Sequence, residues 1–308
     1  MNVVALFSGQ GAQRVGMGHD WVDHSATAAA MCAQADEILG MPLMATMLEG
    51  PEEKLTRTSF CQPALYLHGL MALSLLQERV PELEITAAAG LSLGEFTAHA
   101  AAGTFSFADG LQLVAQRGSF MEEACANSEG SMAAMIGGEQ DQVIALAQAC
   151  NVDVANFNAP GQIVLSGTRA GINDAIARAK EFGVRRAIAL NVAGAYHSLL
   201  MASAQARLAP VLASTPFAEP RVPVMSNVLA HAATAPDEIR KALEQQVTGS
   251  VRWTESMQNL ISQGHRHFIE FGPGKVLAGL MGKIDSSVSV LSVEDMASLD
   301  ATIAALRS

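Results

Sequence analysis

A serine held between two glycines is the first feature of this sequence whose residue types and spacing suggest chemistry. Gly90-Leu91-Ser92-Leu93-Gly94 matches the pattern G-x-S-x-G, with the strand-like run Ile85-Thr86-Ala87-Ala88-Ala89 before it and the helix-forming run Glu95 to Ala102 after it. That strand–turn–helix setting is the one in which such a serine acts as a nucleophile. The glycines permit a sharp turn that exposes the hydroxyl, and the free N–H groups at the helix start point toward developing negative charge. An ordinary glycine turn with a serine N-cap fits the bare pattern equally well, so the reading depends on partners. A serine hydroxyl needs a base. Of the eight histidines, His197 stands in the loop Gly194-Ala195-Tyr196-His197-Ser198, where an inserted small domain would rejoin a larger one, and clefts between domains are common sites. A hydrogen-bonded loop histidine is the plain alternative. His265 and His267 alternate as on a strand and, without a third ligand, read as surface residues and not as a metal site.

Two further groups bear on the same chemistry. Arg117 sits among Leu111, Leu113, Val114 and Phe120, and a guanidinium among apolar neighbours calls for a carboxylate. That carboxylate belongs either to a substrate or to an acidic residue such as Glu122 or Asp109, and spacing alone favours the acidic residue. Gly9-Gln10-Gly11-Ala12-Gln13-Arg14 opens like a dinucleotide fingerprint, but Arg14 occupies the sixth position and the next glycine is delayed to Gly16. A Rossmann reading therefore fails on spacing. What remains is a tight glycine loop able to bring backbone N–H groups, notably that of Gln10, close to a ligand oxygen.

The elements needed to position these groups follow from hydrophobic pattern and turn residues. Strands are predicted at 3–7, 85–89, 222–225 and 267–270, and helices at 26–39, 64–76, 95–102, 107–123, 240–246 and 253–263. Between them lies a run of strand 132–136, helix 141–149, strand 152–156, strand 163–166, helix 170–182 and strand 186–190. That β-α-β-β-α-β order is the one of the ferredoxin-like unit. Residues 125–193 are accordingly read as a small inserted domain, and 1–124 with 194–308 as a larger α/β domain. The last loop is punctuated by Gly272-Pro273-Gly274.

The bulk properties narrow the function class. Half of the 308 residues are apolar, enough to bury a large core. A net charge of -11 gives no overall attraction to nucleic acid or to an anionic membrane face, and no apolar run is expected to reach the roughly 18 residues of a membrane span. Cys32, Cys61, Cys125 and Cys150 are widely spaced with no C-x-x-C pair, and no basic, apolar leader starts at Met1. A disulfide framework and a secretory signal are not expected, and a cytoplasmic location is.

Taken in order, Phe7-Ser8-Gly9-Gln10-Gly11-Ala12-Gln13, Gln62-Pro63-Ala64-Leu65, Gly90-Leu91-Ser92-Leu93-Gly94-Glu95, Gln116-Arg117-Gly118, Asn156-Phe157-Asn158-Ala159-Pro160-Gly161-Gln162, Gly194-Ala195-Tyr196-His197-Ser198 and Gly272-Pro273-Gly274-Lys275 closely resemble the malonyl-CoA:acyl carrier protein transacylase family over nearly the whole chain. The resemblance implies an α/β-hydrolase-like core with a parallel sheet plus an inserted ferredoxin-like small domain, and transfer of a malonyl group from coenzyme A to holo acyl carrier protein through a serine ester. It assigns the nucleophile to Ser92, the base to His197, the carboxylate clamp to Arg117, the oxyanion hole to the N–H groups of Gln10 and Leu93, a place on the pocket wall to Gln62, and orientation of the histidine to Gln246. It implies no cofactor and no metal, malonyl-CoA being a substrate. The chain departs from the family pattern in Ser8 for proline, Leu91 for histidine, Leu199 for proline, and Thr248-Gly249-Ser250 for Asn-Pro. Tyr196, by the same resemblance, favours malonyl over a branched extender. An acidic chain meeting an acidic carrier needs a local basic patch, for which Arg178, Lys180, Arg185, Arg186 and Lys275 are the candidates. The rival readings are a free-standing acyltransferase of polyketide synthesis, an ester or thioester hydrolase, and a non-catalytic acyl-CoA or carrier-binding protein.

Overall fold

The continuous apolar run that reads as a buried strand over residues 3–7 is buried on both faces in the fold, because this strand runs through the middle of a sheet covered by helices. The computed structural model describes residues 2–307; Met1 and Ser308 lie outside it. In chain order the strands are β1 (Asn2–Phe7), β2 (Glu84–Gly90), β3 (Gly130–Ile136), β4 (Asp153–Ala159), β5 (Gln162–Thr168), β6 (Arg186–Ala189), β7 (Val224–Met225), β8 (Ala232–Ala233), β9 (His267–Phe271) and β10 (Ser289–Val293). They form a six-stranded sheet in the order β10-β9-β1-β2-β7-β8 and a four-stranded sheet in the order β4-β5-β3-β6. In the larger sheet β10, β9, β1, β2 and β7 are parallel and only β8 turns back. The chain is thus a mixed α/β fold with a parallel sheet, and the loops after β1, β2 and β9 leave from the same sheet edge. In open parallel sheets ligands bind at that edge, where strand order reverses direction.

The smaller sheet is antiparallel, with β3 paired to both β5 and β6 and β5 to β4. Its helices Gln140–Ala149 and Arg169–Arg178 pack a separate apolar cluster that includes Met135, Val143, Leu146, Leu165 and Ile172. The connection order is β3, helix, β4, β5, helix, β6, which matches the strand and helix order expected over 132–190. Backbone pairing with the rest of the chain runs through Asn156 on β4, which bridges Val251, and through the pair of bonds from Phe157 N–H to Val251 O and from Val251 N–H to Ala155 O.

Several elements exceed their expected bounds. The helix expected over 64–76 spans Thr58–Arg79, with Pro63 inside it. A proline in the second turn removes one helical hydrogen bond, so the sequence signal of a helix start there was misleading. This helix also meets the length and apolarity of a membrane span, with a mean hydropathy of 1.2 over 18 residues, yet 83% of that window is buried inside the protein. The expectation that no stretch approaches such length is corrected: this one does, as a core helix. The strand expected at 222–225 shrinks to Val224–Met225, because Pro223 has no N–H to give a ladder. Helices Ala202–Ser214, Val276–Ile284 and Met296–Arg307 and strand β10 were not expected at all.

The turn after β2 explains the two glycines of the serine motif by proximity. A Cβ at Gly90 would overlap the Gly94 carbonyl, and one at Gly94 would overlap the Phe7 carbonyl on β1. The left-handed backbone belongs to Ser92 itself, at φ 56° and ψ -108°, a conformation that costs a non-glycine residue about 1–3 kcal/mol. We expect Gly90→Ala to lower the urea midpoint by an amount equivalent to about 1–3 kcal/mol and to displace Ser92; an unchanged midpoint with unchanged Ser92 reactivity would show that the turn relaxes freely.

Candidate active site

Ser92 and His197 lie 105 residues apart in sequence and meet at 2.8 Å, Ser92 Oγ to His197 Nε2. Ser92 is the residue before helix Leu93–Ala101, and its main chain is pinned by its own N–H donating to Asn227 Oδ1 at 2.7 Å. His197 follows β6 through the segment 190–196 and also takes a left-handed backbone, φ 55°. Ser198 holds that loop by donating to Ala195 O at 2.7 Å and accepting from Leu200 N–H, while Leu199 N–H reaches Asp153 on β4.

The proton inventory of His197 follows from its partners. Nδ1 faces two carbonyls, Gln246 O at 2.9 Å and Gly249 O at 3.2 Å. Carbonyls only accept, so Nδ1 carries the hydrogen and Nε2 presents its lone pair to the serine hydroxyl. Gln246 closes helix Pro236–Gln245, and carbonyls at a helix C-terminus carry the negative end of its dipole. That end faces an imidazole that becomes positive when it takes the serine proton. Thr248-Gly249-Ser250, which depart from the resemblance, keep this geometry by other means: Ser250 Oγ bonds Val154 O and Thr248 Oγ1 bonds Gln205.

Arg117, on helix Phe107–Ala126, is 1% exposed and has no ion-pair partner among the described residues. The expectation of a salt bridge to Glu122 or Asp109 is overturned: Glu122 pairs with Arg57, and Asp109 bonds Ser106. Instead Nη1 donates to Gln62 Oε1 at 2.8 Å, and Nη2 donates to Ser92 Oγ at 3.1 Å and to Gln246 Oε1 at 2.9 Å. Its Nε is buried without a partner, and its Cζ lies over the Phe96 ring, 5.3 Å from the centroid. Burial pulls its pKa down to about 10, with Glu95 opposing, so it stays charged at neutral pH.

A cavity of about 280 Å³ opens above this cluster, lined among others by Gln10, Leu91, Ser92, Asn156, Tyr196 and His197. Gln62 is not on its wall: it lies behind, fully buried, holding Arg117 and touching Met121 Sδ. The loop after β1 is drawn to the serine turn by the Leu91 N–H donating to Phe7 O, and Gly9 abuts the Leu91 carbonyl. The N–H groups of Gln10 and Leu93 have no hydrogen-bond partner among the described residues, Leu93 being the first residue of its helix. Leu91, in the histidine position of the resemblance, gives that wall an apolar side chain.

Comparison with known proteins places this geometry. The acyl transferase domain model matches residues 4–300. The chain is 39% identical to a malonyl CoA-acyl carrier protein transacylase of Bacillus subtilis, over 99% of this chain and 97% of the relative. The chain belongs to the malonyl-CoA:acyl carrier protein transacylase family. Among solved structures, an acyl carrier protein S-malonyltransferase of Vibrio cholerae superimposes with a TM-score of 0.94 at 37% identity, covering 97% of this chain and 99% of the other. A malonyl-transacylase solved with the holo form of a type II polyketide acyl carrier protein gives a TM-score of 0.93 at 34% identity, covering 99% and 100%.

Two buried residues of this transacylase-family site escaped the sequence reading. Glu95 lies within the serine motif and Asn227 outside any motif, and neither carries a local sequence signal that marks it. Glu95 Oε2 accepts from Gln246 Nε2 at 2.6 Å and from Asn227 N–H at 3.0 Å, while Asn227 Nδ2 donates to Gly90 O at 2.8 Å. Burial, partly offset by these bonds, pushes the Glu95 pKa up to about 7. A glutamate in the first turn of a helix is so ordinary a helix-dipole partner that only its complete burial marks it. Of the basic candidates, Arg178 is engaged by Asp174 and Glu181. Arg185 and Arg186 are exposed but sit at the end of β6 opposite to Leu190–Ala193, which line the cavity.

Burial, reinforced by Arg117, lowers the His197 pKa from 6.5 to about 4. The proton-accepting form is therefore present above about pH 4 in the free protein, and is lost as pH falls through that value. We expect the rate constant for modification of Ser92 by a small fluorophosphonate to stay within about twofold between pH 7.5 and 5.5, whereas an ordinary histidine would leave only about a tenth of the base at the lower pH. An inflection near 6.5 would contradict the burial argument.

Proposed function

We infer that the protein is a malonyl-CoA:acyl carrier protein S-malonyltransferase working by a two-step exchange on Ser92. The observation that carries this reading is Arg117: a charged guanidinium, buried, without a carboxylate partner among the described residues, and donating to the oxygen of the nucleophile. A free carboxylate one methylene beyond a thioester carbonyl suits that arrangement, since it would pair with the arginine while the carbonyl meets Ser92. In the first step Ser92 Oγ bonds to the thioester carbon as its proton passes to His197 Nε2. The oxyanion is taken by the N–H groups of Gln10 and Leu93. The intermediate expels the coenzyme A thiolate, which leaves with the proton from His197. In the second step the pantetheine thiol of the carrier gives its proton to His197 and attacks the ester, and Ser92 departs as the hydroxyl. No cofactor or metal is needed, because nucleophile, base and oxyanion donors all come from the chain.

Charge balance couples recognition to chemistry in this scheme. Arg117 is one of the causes that hold His197 far below its ordinary pKa. A malonyl carboxylate paired with Arg117 neutralises that charge, raises the histidine's proton affinity and makes it a stronger base only when the correct acyl group is present. Tyr196, whose hydroxyl bonds Thr58 Oγ1 at 2.8 Å, fills the wall beside the histidine and leaves little room for an α-methyl branch. The amides of Asn156 and Asn158 on the same wall suit a pantetheine arm, itself a chain of amides. The transferase reading is preferred over hydrolysis because the relatives matched over nearly the whole chain are named as a transacylase and a malonyltransferase. The relative bound to a polyketide carrier supports a second reading of the pathway, with the same chemistry and a carrier of polyketide synthesis in place of that of fatty acid synthesis.

At the level of architecture we read the larger sheet as an α/β-hydrolase-like core, 1–124 and 194–308, and 125–193 as a ferredoxin-like insert. The order β4-β5-β3-β6 with two helices supports the insert. A cytoplasmic setting is supported by four buried free cysteines.

Incubation with malonyl-CoA should add one malonyl group to the intact mass, not to Ser92→Ala, and holo acyl carrier protein should remove it onto its own thiol. Loss of the adduct to water without a carrier thiol would instead indicate a hydrolase. Arg117→Ala should lower kcat/KM for malonyl-CoA by about a hundredfold or more, the scale of leaving a buried charge unpaired, and spare acetyl-CoA, so that selectivity collapses; an unchanged ratio of the two thioesters would remove Arg117 from recognition.

A further inference from the structure

Resting on the transferase reading above, we propose that Glu95 is the positioning residue that couples the carboxylate-binding Arg117 to the proton-accepting His197, acting through Gln246. Glu95 has no surface exposure, and no lysine or arginine forms an ion pair with it among the described residues. A carboxyl group is costly to bury in either protonation state unless its oxygens are hydrogen-bonded, so its place beneath the nucleophile requires that its hydrogen bonds do something an apolar side chain would not.

The Gln246 amide is where they act. Its Nε2 donates to Glu95 Oε2 at 2.6 Å and to Ser92 O at 2.8 Å, and its Oε1 accepts from Arg117 Nη2 at 2.9 Å. A primary amide can be turned end for end at little intrinsic cost, and a Glu95 Oε2 that already accepts from Asn227 N–H opposes this. Reversed, the amide would set its oxygen against Glu95 and the Ser92 carbonyl, and its NH₂ against a guanidinium that has no acceptor. Glu95, together with the Ser92 carbonyl and the guanidinium, thus fixes which end of Gln246 meets Arg117. The same residue's main-chain carbonyl receives the His197 Nδ1 hydrogen at 2.9 Å, so the side chain that orders the arginine and the carbonyl that orients the histidine move together.

A second arm reaches the serine turn. Asn227 N–H donates to Glu95 Oε2 at 3.0 Å, and the Asn227 side chain accepts from Ser92 N–H at 2.7 Å and donates to Gly90 O at 2.8 Å. Glu95 is therefore bonded to the two residues that hold the nucleophile's backbone and the base's partner, and it supplies the negative charge that opposes the desolvation of Arg117. Its position three residues after Ser92, in the first turn of the same helix, brings the carboxylate back under the turn it stabilises.

A double-mutant cycle of Glu95→Gln and Gln246→Ala tests this, with kcat and KM measured for malonyl-CoA and acetyl-CoA and folding followed by near-ultraviolet circular dichroism. Glu95→Gln should lower kcat/KM for malonyl-CoA about tenfold to a hundredfold, mostly in kcat, and should reduce the malonyl-to-acetyl ratio. The double variant should lose no more than the worse single one, as expected of neighbours acting through one network. Glu95→Asp, which keeps an acceptor-only charge, should recover part of the loss, and takes the place of Glu95→Gln in the cycle if the latter does not fold. Additive losses, an unchanged acyl ratio, or a variant as active as the wild type would overturn the proposal. Malonylation of Ser92 in the wild-type protein, measured alongside, separates the two readings: its absence sinks the transferase function, whereas its presence with an additive cycle sinks only the coupling.

Discussion

An arginine side chain buried to 1% exposure without an opposing carboxylate in contact is a condition that the rest of this structure must satisfy. A guanidinium has five N–H donors and no acceptor, and removing it from water is costly unless those donors are met. Gln62, Gln246 and the Ser92 hydroxyl meet three of them as neutral acceptors, and Phe96 faces the plane. Neutral acceptors satisfy geometry and leave the charge unbalanced, except for the more distant field of Glu95. The site is thereby left with a positive charge that its neutral partners do not balance.

The same charge sets the character of the base. His197 is buried beside Arg117 and keeps its proton off down to about pH 4, so its Nε2 lone pair is available, although it is a weak base until that charge is neutralised. What lets so weak a base accept a proton in the reaction is its other nitrogen. Nδ1–H lies against Gln246 O and Gly249 O, at the negative end of helix Pro236–Gln245, and these carbonyl dipoles do part of what an aspartate does elsewhere.

The fold makes this possible by bringing together loops from one edge of a parallel sheet. β1 and β2 are neighbours, and their loops deliver the Gln10 N–H and the Ser92 turn side by side. The antiparallel sheet supplies the opposite wall, and its last strand runs directly into His197, so the base is carried by the segment that leaves the small sheet and the nucleophile by the large one. The bridge between Asn156 and Val251 ties β4 to the segment that provides Gly249 O, which keeps the histidine's partner and the cavity wall in one rigid piece.

How much of this was legible beforehand differs by the range of the interaction. Local pattern was enough for the central strand, the serine turn, the helix bearing Arg117 and the β-α-β-β-α-β order, because periodicity and turn chemistry act over a few residues. Ser92, His197 and Arg117 could be named by residue type and by resemblance, which also supplied Gln246. Sequence could not decide what Arg117 touches, and spacing favoured an acidic neighbour that proved to belong to Arg57. Nor could it place Gln62 behind the cavity, or disclose Glu95 and Asn227 as the support of the site. Those outcomes depend on which side chains from positions 62, 95, 117, 227 and 246 are sealed from water together beneath Ser92. Burial of that kind is settled only when distant segments pack, and it alone turns an ordinary first-turn glutamate and an ordinary helical arginine into groups whose charge matters.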